Sequence, residues 1–234
     1  MATEIYFVRH GESLDNVGGV AFDDMNIQQE GFLDNPLSET GERQADALCD
    51  WVIENNIRPE AIFSSGLTRS TMTAVPTAEH LGLEIHEIPE MREVLVERDT
   101  MSSLELQSNA ADRIKQLPSG EKIWDRAMQG GVFVAFNLWA NFGLPGFETK
   151  DELKARSAFV LDTLAARPER RVLAVAHNFF LGALLLELID RNPLNRILAT
   201  PNLGFMPNCS VTCVIAHPPR FRLRYVARES NDFS

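Results

Sequence analysis

Short apolar segments alternate with amphipathic helical patterns along this chain, and this alternation restricts its fold more than any other feature. Apolar runs at 5–8, 61–63 and 171–176 have the length and composition of buried strands. Helical spacing of apolar residues follows over 68–81 and over 180–189. Because parallel strands are connected through helices, we predict an α/β fold with three layers (α/β/α) and a mostly parallel central sheet.

The remaining elements predicted from the sequence complete this sheet. Ser38 is a typical N-cap residue, and apolar residues recur at helical spacing after it. Segment 84–88 alternates as an edge strand does, and 210–216 and 221–226 predict two last strands. We expect a single domain over residues 1–234.

One stretch, from Met101 to Phe147, breaks the pattern and predicts an inserted, mainly helical cap. A polar helical segment ends at Leu117 before a Pro-Ser-Gly turn, and an apolar segment follows at 132–142. Its apolar side chains either pack on the sheet edge or on a second subunit of a homodimer, or line the entrance to a site. In the last case, the substrate would be partly apolar.

Charge and composition exclude several classes of partner. The formal net charge is −11, with no local run of lysine or arginine, which argues against binding to nucleic acids and to anionic membranes. The most apolar window, 132–142, is far shorter than the roughly 20 residues that span a bilayer. No export signal follows Met1, so we expect a cytoplasmic protein.

Neither the three cysteines nor any nucleotide-binding motif indicates a metal or a cofactor. Cys49, Cys209 and Cys213 show no zinc-ligand spacing, and we predict reduced, buried thiols, with Cys209 and Cys213 on one strand face. Neither a P-loop nor a GxGxxG motif occurs, so we predict no cofactor.

Polar residues follow three of the predicted strands. Arg9 and His10 come after the first strand, Arg69 lies shortly after the second, and His177 directly follows the strand at 171–176. Ligands of such sheets bind beyond the carboxyl ends of the strands, so we expect these residues on one rim. An imidazole can act as a nucleophile and guanidinium groups match phosphate geometry, although surface salt bridges remain the alternative for the arginines.

Several motifs carry a resemblance to a known family. They are Arg9-His10-Gly11-Glu12-Ser13, Pro36-Leu37-Ser38-Glu39-Thr40-Gly41, Ser64-Ser65-Gly66-Leu67-Thr68-Arg69, Val175-Ala176-His177 and Asn208-Cys209-Ser210-Val211-Thr212. In this order they resemble the histidine phosphatase superfamily, in its phosphoglycerate-mutase-like branch. The resemblance runs from residue 5 to about residue 212, without specific matches at 17–32 and 101–147.

The resemblance implies roles for individual residues. His10 would be the nucleophile that is transiently phosphorylated, and Arg9 and Arg69 would bind the phosphoryl oxygens. His177 would donate a hydrogen bond to the transferring group, with an ordinary core histidine as the alternative. Asn16 matches a residue that touches the phosphoryl group, although an asparagine in a turn often bonds its own backbone.

The proton donor is assigned less directly. In the family the acid follows a strand within an L-x-E pattern, which places it at Glu93. Glu90 is the alternative acid. Both carboxylates could instead simply lie on a solvent-exposed surface. The G-x-W-E-G segment that commonly follows is absent here. Two further departures are Gly66, where a proline is common, and Asn178, where a glycine is common.

These expectations lead to three functional hypotheses. The first is a phosphatase that hydrolyses a small phosphorylated metabolite through a phosphohistidine. The second is a cofactor-dependent mutase, for which extra basic residues in the cap would be expected; the cap contains only Arg113, Lys115, Lys122 and Arg126. The third is a protein that binds phosphoesters without turnover, although the nucleophile and arginines are intact.

Overall fold

A six-stranded mixed sheet forms the centre of the computed structural model, which describes residues 2–14, 34–95, 146–189 and 206–228. Its strands are β1 (Thr3–Arg9), β2 (Ala61–Ser64), β3 (Ile85–Glu87), β4 (Arg171–Ala176), β5 (Val211–His217) and β6 (Arg220–Arg228). They lie in the order β3-β2-β4-β1-β5-β6. The first four in this order are parallel, β5 is antiparallel to β1, and β6 is antiparallel to β5. The predicted mostly parallel sheet is confirmed, with β3 at one edge.

Capping residues explain where several of the helices begin or end. They are α1 (Glu39–Glu54), α2 (Thr68–Leu81), α3 (Lys150–Ala165) and α4 (Asn178–Ile189), with a 3₁₀ helix, η1 (Pro89–Met91), after β3. The Ser38 side chain accepts from the Gly41 N–H and caps α1, as predicted. Gly82 ends α2 in a left-handed conformation at φ 65°. Helix α3, which starts with a capping box of Thr149 and Glu152, was not predicted.

Alternating side chains of β1 pack on the two faces of the sheet and explain the three layers. Ile5 and Phe7 belong to a buried cluster that includes residues of α3 and α4. Tyr6 and Val8 belong to a second cluster, with residues of α1 and α2. Each fully buried large apolar side chain contributes about 1.5–3 kcal/mol, so covering both faces stabilises the predicted α/β/α arrangement.

Two further predictions from the sequence concern the cap and the cysteines. The cap lies outside the described residues, apart from its last two positions. Within the described ranges, no helix is long and apolar enough to cross a membrane. Cys49, Cys209 and Cys213 are free and buried, and burial raises the pKa of Cys209 to about 12 and that of Cys213 to about 11. Cys213 lies in β5, but Cys209 occupies the turn before it with φ 54°, not the strand itself.

Candidate active site

The polar residues predicted to form a site lie together at the end of the sheet where the parallel strands terminate. Strands β1, β2 and β4 all end there because they are parallel. Strand β5 runs in the opposite direction, so the turn before it, at 206–210, lies at the same edge. The His10 N–H donates to the Ala176 carbonyl at 3.0 Å, and the Cys209 N–H donates to the Arg9 carbonyl at 3.0 Å. Residues from three distant parts of the chain therefore meet here.

His10 is buried and held as a neutral imidazole. Its Nδ1 lies 2.7 Å from the Gly11 carbonyl oxygen, which can only accept, so Nδ1 carries the proton. The Nε2 atom accepts from Nε of Arg69 at 3.3 Å, which requires a lone pair on Nε2. Burial, together with the charges of Arg69 and Arg9, holds the pKa of His10 well below its usual range. Nε2 is thus the nitrogen of this ring that carries the lone pair.

Backbone and side-chain bonds fix the loop that carries this histidine. The Gly11 N–H donates to Oγ1 of Thr73 at 2.9 Å, and that hydroxyl donates to the Arg69 carbonyl at 2.7 Å. On the other side, Nδ2 of Asn208 donates to the His10 carbonyl at 2.9 Å. The loop is therefore tied both to α2, which carries Arg69, and to the turn before β5.

The same loop packs against the first turn of α1 without any side chain between the two backbones. The Glu12 carbonyl accepts from the Ser38 N–H at 2.9 Å, and the Glu12 N–H donates to Oε1 of Gln44 at 2.8 Å. A Cβ atom added to Gly41 would lie 1.9 Å from the Glu12 carbonyl oxygen, and one added to Gly11 would lie 2.7 Å from the Gly41 oxygen. Both positions need glycine for space.

Two buried guanidinium groups flank His10. Arg9 is 8% exposed and Arg69 is 5% exposed. An Nη1 of Arg9 donates to the Met206 carbonyl, and the Met206 N–H in turn donates to Oδ1 of Asn178 at 2.9 Å. Asn178, one of the departures from the family pattern, thereby connects the start of α4 to the segment that supports Arg9. Two cations beside a neutral imidazole favour an anionic ligand.

His177 lies beside His10, with the ring centroids 5.0 Å apart. Its Nε2 is 2.8 Å from Oγ of Ser65, which is 2.7 Å from Oγ of Ser70, and the Ser70 hydroxyl donates to the Leu67 carbonyl. Its buried Nδ1 has no hydrogen-bond partner among the described residues. Burial, and then the charges of Arg69 and other neighbours, lower the pKa of His177. Because the Ser70 hydroxyl donates to Leu67, the Ser65 hydroxyl donates to Ser70 and accepts from Nε2–H of His177, which leaves a lone pair on Nδ1 of the neutral ring. Nδ1 can donate to a bound anion only after it takes up a proton.

Glu93 lies where α4 begins. Its Oε1 accepts from the N–H groups of Val94 at 2.9 Å and Phe180 at 3.0 Å, and its Oε2 accepts from the Phe179 N–H at 3.2 Å. Phe179 and Phe180 follow His177 almost directly, so this carboxylate is close to the rim. The alternative acid, Glu90, lies in η1, where its carbonyl accepts from Arg156.

The last residue singled out, Asn16, lies outside the described residues. The other departure, Gly66, has φ 83°, which proline cannot adopt because its ring holds φ near −65°. The local turn thus differs from one built with proline.

Two residues that support Arg69 and His177, Asp34 and Ser65, were not predicted from the sequence. Asp34 is buried; its Oδ1 accepts from the Thr68 N–H at 2.6 Å, and its Oδ2 accepts from the Thr68 hydroxyl at 2.9 Å. It caps α2, whose own N-cap position, Leu67, has no capping side chain. The absence of a local cap was the only signal for it. Ser65 was part of a quoted motif, but its contact with His177 depends on the pairing of β2 with β4. In the described ranges, no group of three or more metal-ligating side chains could hold a metal ion.

Several known proteins resemble this chain in sequence and in fold. A family model described as histidine phosphatase superfamily (branch 1) matches residues 5–228. A probable phosphoglycerate mutase GpmB from Yersinia pestis (strain Pestoides F) is 32% identical over 187 residues, which is 80% of this chain and 74% of that protein. A solved structure named mycobacterial hydrolase 1 is 25% identical, with a TM-score of 0.67, and the match covers 98% of this chain and 100% of that one. A mycobacterial glucosyl-3-phosphoglycerate phosphatase is also 25% identical, with a TM-score of 0.65 and coverages of 97% and 99%.

Proposed function

Since this chain belongs to branch 1 of the histidine phosphatase superfamily, we propose that it is a phosphatase that hydrolyses a small phosphorylated metabolite through a phosphohistidine. The observation that carries the proposal is the tautomer of His10. Its Nδ1 proton is held by the Gly11 carbonyl, and its Nε2 lone pair lies beside the Arg69 guanidinium. A buried, neutral imidazole between two arginines is suited to attack a phosphorus atom.

In the first half of the proposed reaction, Nε2 of His10 forms a bond to phosphorus as the bond to the leaving-group oxygen breaks. Arg9 and Arg69 neutralise the charge on the phosphoryl oxygens, and Arg69 exchanges its bond with Nε2 for one with the substrate. His177 takes up a proton from solvent at Nδ1 as the phosphoryl anion binds, because the anion favours the charged ring, and Nδ1 then donates a hydrogen bond to a phosphoryl oxygen. Glu93 supplies the proton that the leaving oxygen needs.

In the second half, water attacks the phosphohistidine. The Glu93 carboxylate removes a proton from this water, its oxygen bonds to phosphorus, and the bond between Nε2 and phosphorus breaks. Inorganic phosphate leaves and His10 returns to its neutral form. The Gly11 carbonyl holds the Nδ1 proton throughout, so the same nitrogen is presented in each cycle.

A mutase is the second candidate, because a relative named probable phosphoglycerate mutase is 32% identical to this chain. It would return the phosphoryl group to its substrate rather than to water. Two arguments favour the phosphatase. The cap has few basic residues with which to retain a doubly phosphorylated intermediate, and structural neighbours at 25% identity are named as a hydrolase and a phosphatase.

The test combines rapid quenching with product analysis. Wild-type protein quenched during turnover of labelled phosphomonoesters should contain acid-labile, base-stable phosphate, and His10→Asn should contain none. His80→Asn, which changes an exposed histidine of α2, is the matched control and should behave as wild type. Turnover by His10→Asn near the wild-type rate would refute the proposal.

Incubation with 3-phosphoglycerate separates the two enzymes. A phosphatase releases inorganic phosphate from those phosphomonoesters that it accepts, and it forms no 2-phosphoglycerate from 3-phosphoglycerate. Accumulation of 2-phosphoglycerate faster than phosphate would instead identify a mutase.

A further inference from the structure

A buried ion pair lies away from His10 and the two arginines of the site, and it contacts the segment that carries Glu93. Arg156, on α3, and Glu148, just before that helix, have side chains that are 6% and 8% exposed. Nε of Arg156 donates to Oε1 of Glu148 at 2.8 Å, and Nη2 donates to Oε2 at 2.5 Å. The pair is therefore bidentate, a geometry that fixes the plane of the guanidinium group.

The remaining donor of this guanidinium group is used on the backbone next to Glu93. Nη1 of Arg156 donates to the Glu90 carbonyl at 2.7 Å and to the Arg92 carbonyl at 2.6 Å. These carbonyls lie three residues and one residue before Glu93. One planar group thus holds the chain immediately before the residue that we assign as the proton donor.

Arg156 also contacts the helix to which the Glu93 side chain is bonded. Its guanidinium carbon lies 4.8 Å from the centre of the Phe180 ring, and the Phe180 N–H donates to Oε1 of Glu93. Glu148 adds a further connection, because its N–H donates to the Leu95 carbonyl at 2.8 Å. The segment from Glu90 to Leu95 is therefore held at both ends and against α4.

We propose that Arg156, aligned by Glu148, is a positioning residue for Glu93: by holding the Glu90 and Arg92 carbonyls it keeps the Glu93 carboxylate at the first turn of α4, the helix that directly follows His177. The proposal deepens the proposed function and rests on it for the identity of the proton donor. It does not require Arg156 to touch the substrate.

Stability alone is a weak reason for such a pair. Removing two charges from water is costly, and apolar residues of similar volume often replace a buried ion pair without loss of stability. An apolar pair could not donate to two carbonyl groups, however. The geometry at Glu90 and Arg92 is what the ion pair supplies and an apolar replacement lacks.

The key variant is Arg156→Met combined with Glu148→Leu, which removes both charges and keeps apolar volume. Arg156→Lys, which keeps the charge but not the forked geometry, is the second variant should the first fail to fold. Leu164→Ala, a buried core position of the same helix, is the control for general destabilisation of α3.

Two measurements are made on each folded variant. The first is the amide hydrogen exchange of Val94, Phe179 and Phe180, whose N–H groups donate to Glu93. The second is kcat/KM for phenyl phosphate and for 2,4-dinitrophenyl phosphate, in the native and the Glu93→Gln background. The dinitrophenolate group leaves without a proton. The kcat/KM for this ester therefore depends on binding and nucleophilic attack but not on proton donation by Glu93.

We expect exchange at these three amides to rise by about tenfold or more in the charge-free variant, and to rise far less in Leu164→Ala. The kcat/KM for phenyl phosphate should fall by about tenfold, that for the dinitrophenyl ester by less than about threefold, and neither should fall further in the Glu93→Gln background.

Unchanged exchange at the three amides, in variants that remain folded, would overturn the positioning role. Faster exchange with equal losses for both esters would uphold the positioning of Glu93 and show instead that the proton donor of the proposed function is another group. The two failures are therefore distinguishable.

Discussion

Replacing Gly41 with alanine tests whether close contact between two backbones holds the nucleophile in place. Gly41 lies in the first turn of α1, and an added Cβ would lie 1.9 Å from the Glu12 carbonyl oxygen. In an unobstructed helix, glycine to alanine stabilises by about 1 kcal/mol. Here the neighbour is backbone, which cannot turn aside as the end of a side chain could. The sign of the effect should therefore be reversed.

The size of the effect follows from what must move. The Glu12 carbonyl has to retreat by about 1.5 Å to reach an ordinary contact distance. That movement breaks its bond from the Ser38 N–H and disturbs the bond from the Glu12 N–H to Gln44, each contributing about 1 kcal/mol. Overpacking adds about 1–3 kcal/mol. After subtracting the helix-propensity gain, we expect a net loss of about 2–4 kcal/mol, or about 4–16 °C in Tm for a chain of this size.

The activity should fall as well, because Glu12 is two residues from His10. A displacement of about 1 Å at the nucleophile is expected to cost about 10²-fold in kcat. Thermal unfolding and kcat are measured for Gly41→Ala and for the control Gly82→Ala. Gly82 has φ 65° and no atom within 4 Å of an added Cβ, so that variant should lose about 1 kcal/mol and keep full activity. A Gly41→Ala variant with raised Tm and normal kcat would refute this reasoning.

Three further predictions concern residues of the candidate active site. Glu93→Gln should lower kcat/KM for esters with poor leaving groups by about 10²-fold or more, with good leaving groups nearly unaffected, and Glu90→Gln should do much less; the reverse order would move the acid to Glu90. Ser65→Ala removes the partner of Nε2 in His177 and should lower kcat/KM by about three- to tenfold without a large change in Tm; an unchanged rate would show that this bond does not orient the ring. Burial, with the charge of Arg69, lowers the pKa values of His10 and His177 below the value of about 6.5 that applies in the unfolded chain. Below about pH 6.5 the unfolded chain therefore binds more protons than the folded one, and the free energy of unfolding should fall as the pH drops. Urea titrations of His177→Asn should show this dependence reduced by up to about 1.4 kcal/mol per pH unit, and the same dependence as wild type would contradict the assignment.

Most elements were predictable because their signals are local. The predicted helix over 68–81 matches α2, since a cluster of turn residues precedes it and Gly82 ends it, and the strand at 171–176 matches β4. Helix α3 was missed although its capping box is a local signal. Its buried positions recur at helical spacing, but two of them are Arg156 and Ser157, and these polar side chains interrupt the apolar pattern that identifies a helix.

The site divides in the same way. The common position of His10, Arg69 and His177 could be expected from the strands they follow, because parallel strands end at one edge. The side chains that complete their surroundings could not. Asp34 reaches α2 from 34 residues away, and Asn208 reaches His10 because β5 is antiparallel, an orientation that no local pattern reveals. Both depend on long-range pairing.

The reversed direction of β5 has a consequence for when the protein becomes competent during synthesis. Asn208 and Met206 reach His10 and Arg9 across 198 and 197 positions of the chain. At about 5–20 residues per second, a ribosome needs on the order of ten to forty seconds to pass from one group to the other. Throughout that interval the nascent chain carries His10 and Arg9 without the turn that supports them. We expect such a chain to be inactive, and activity to begin only after the last strands have emerged and paired.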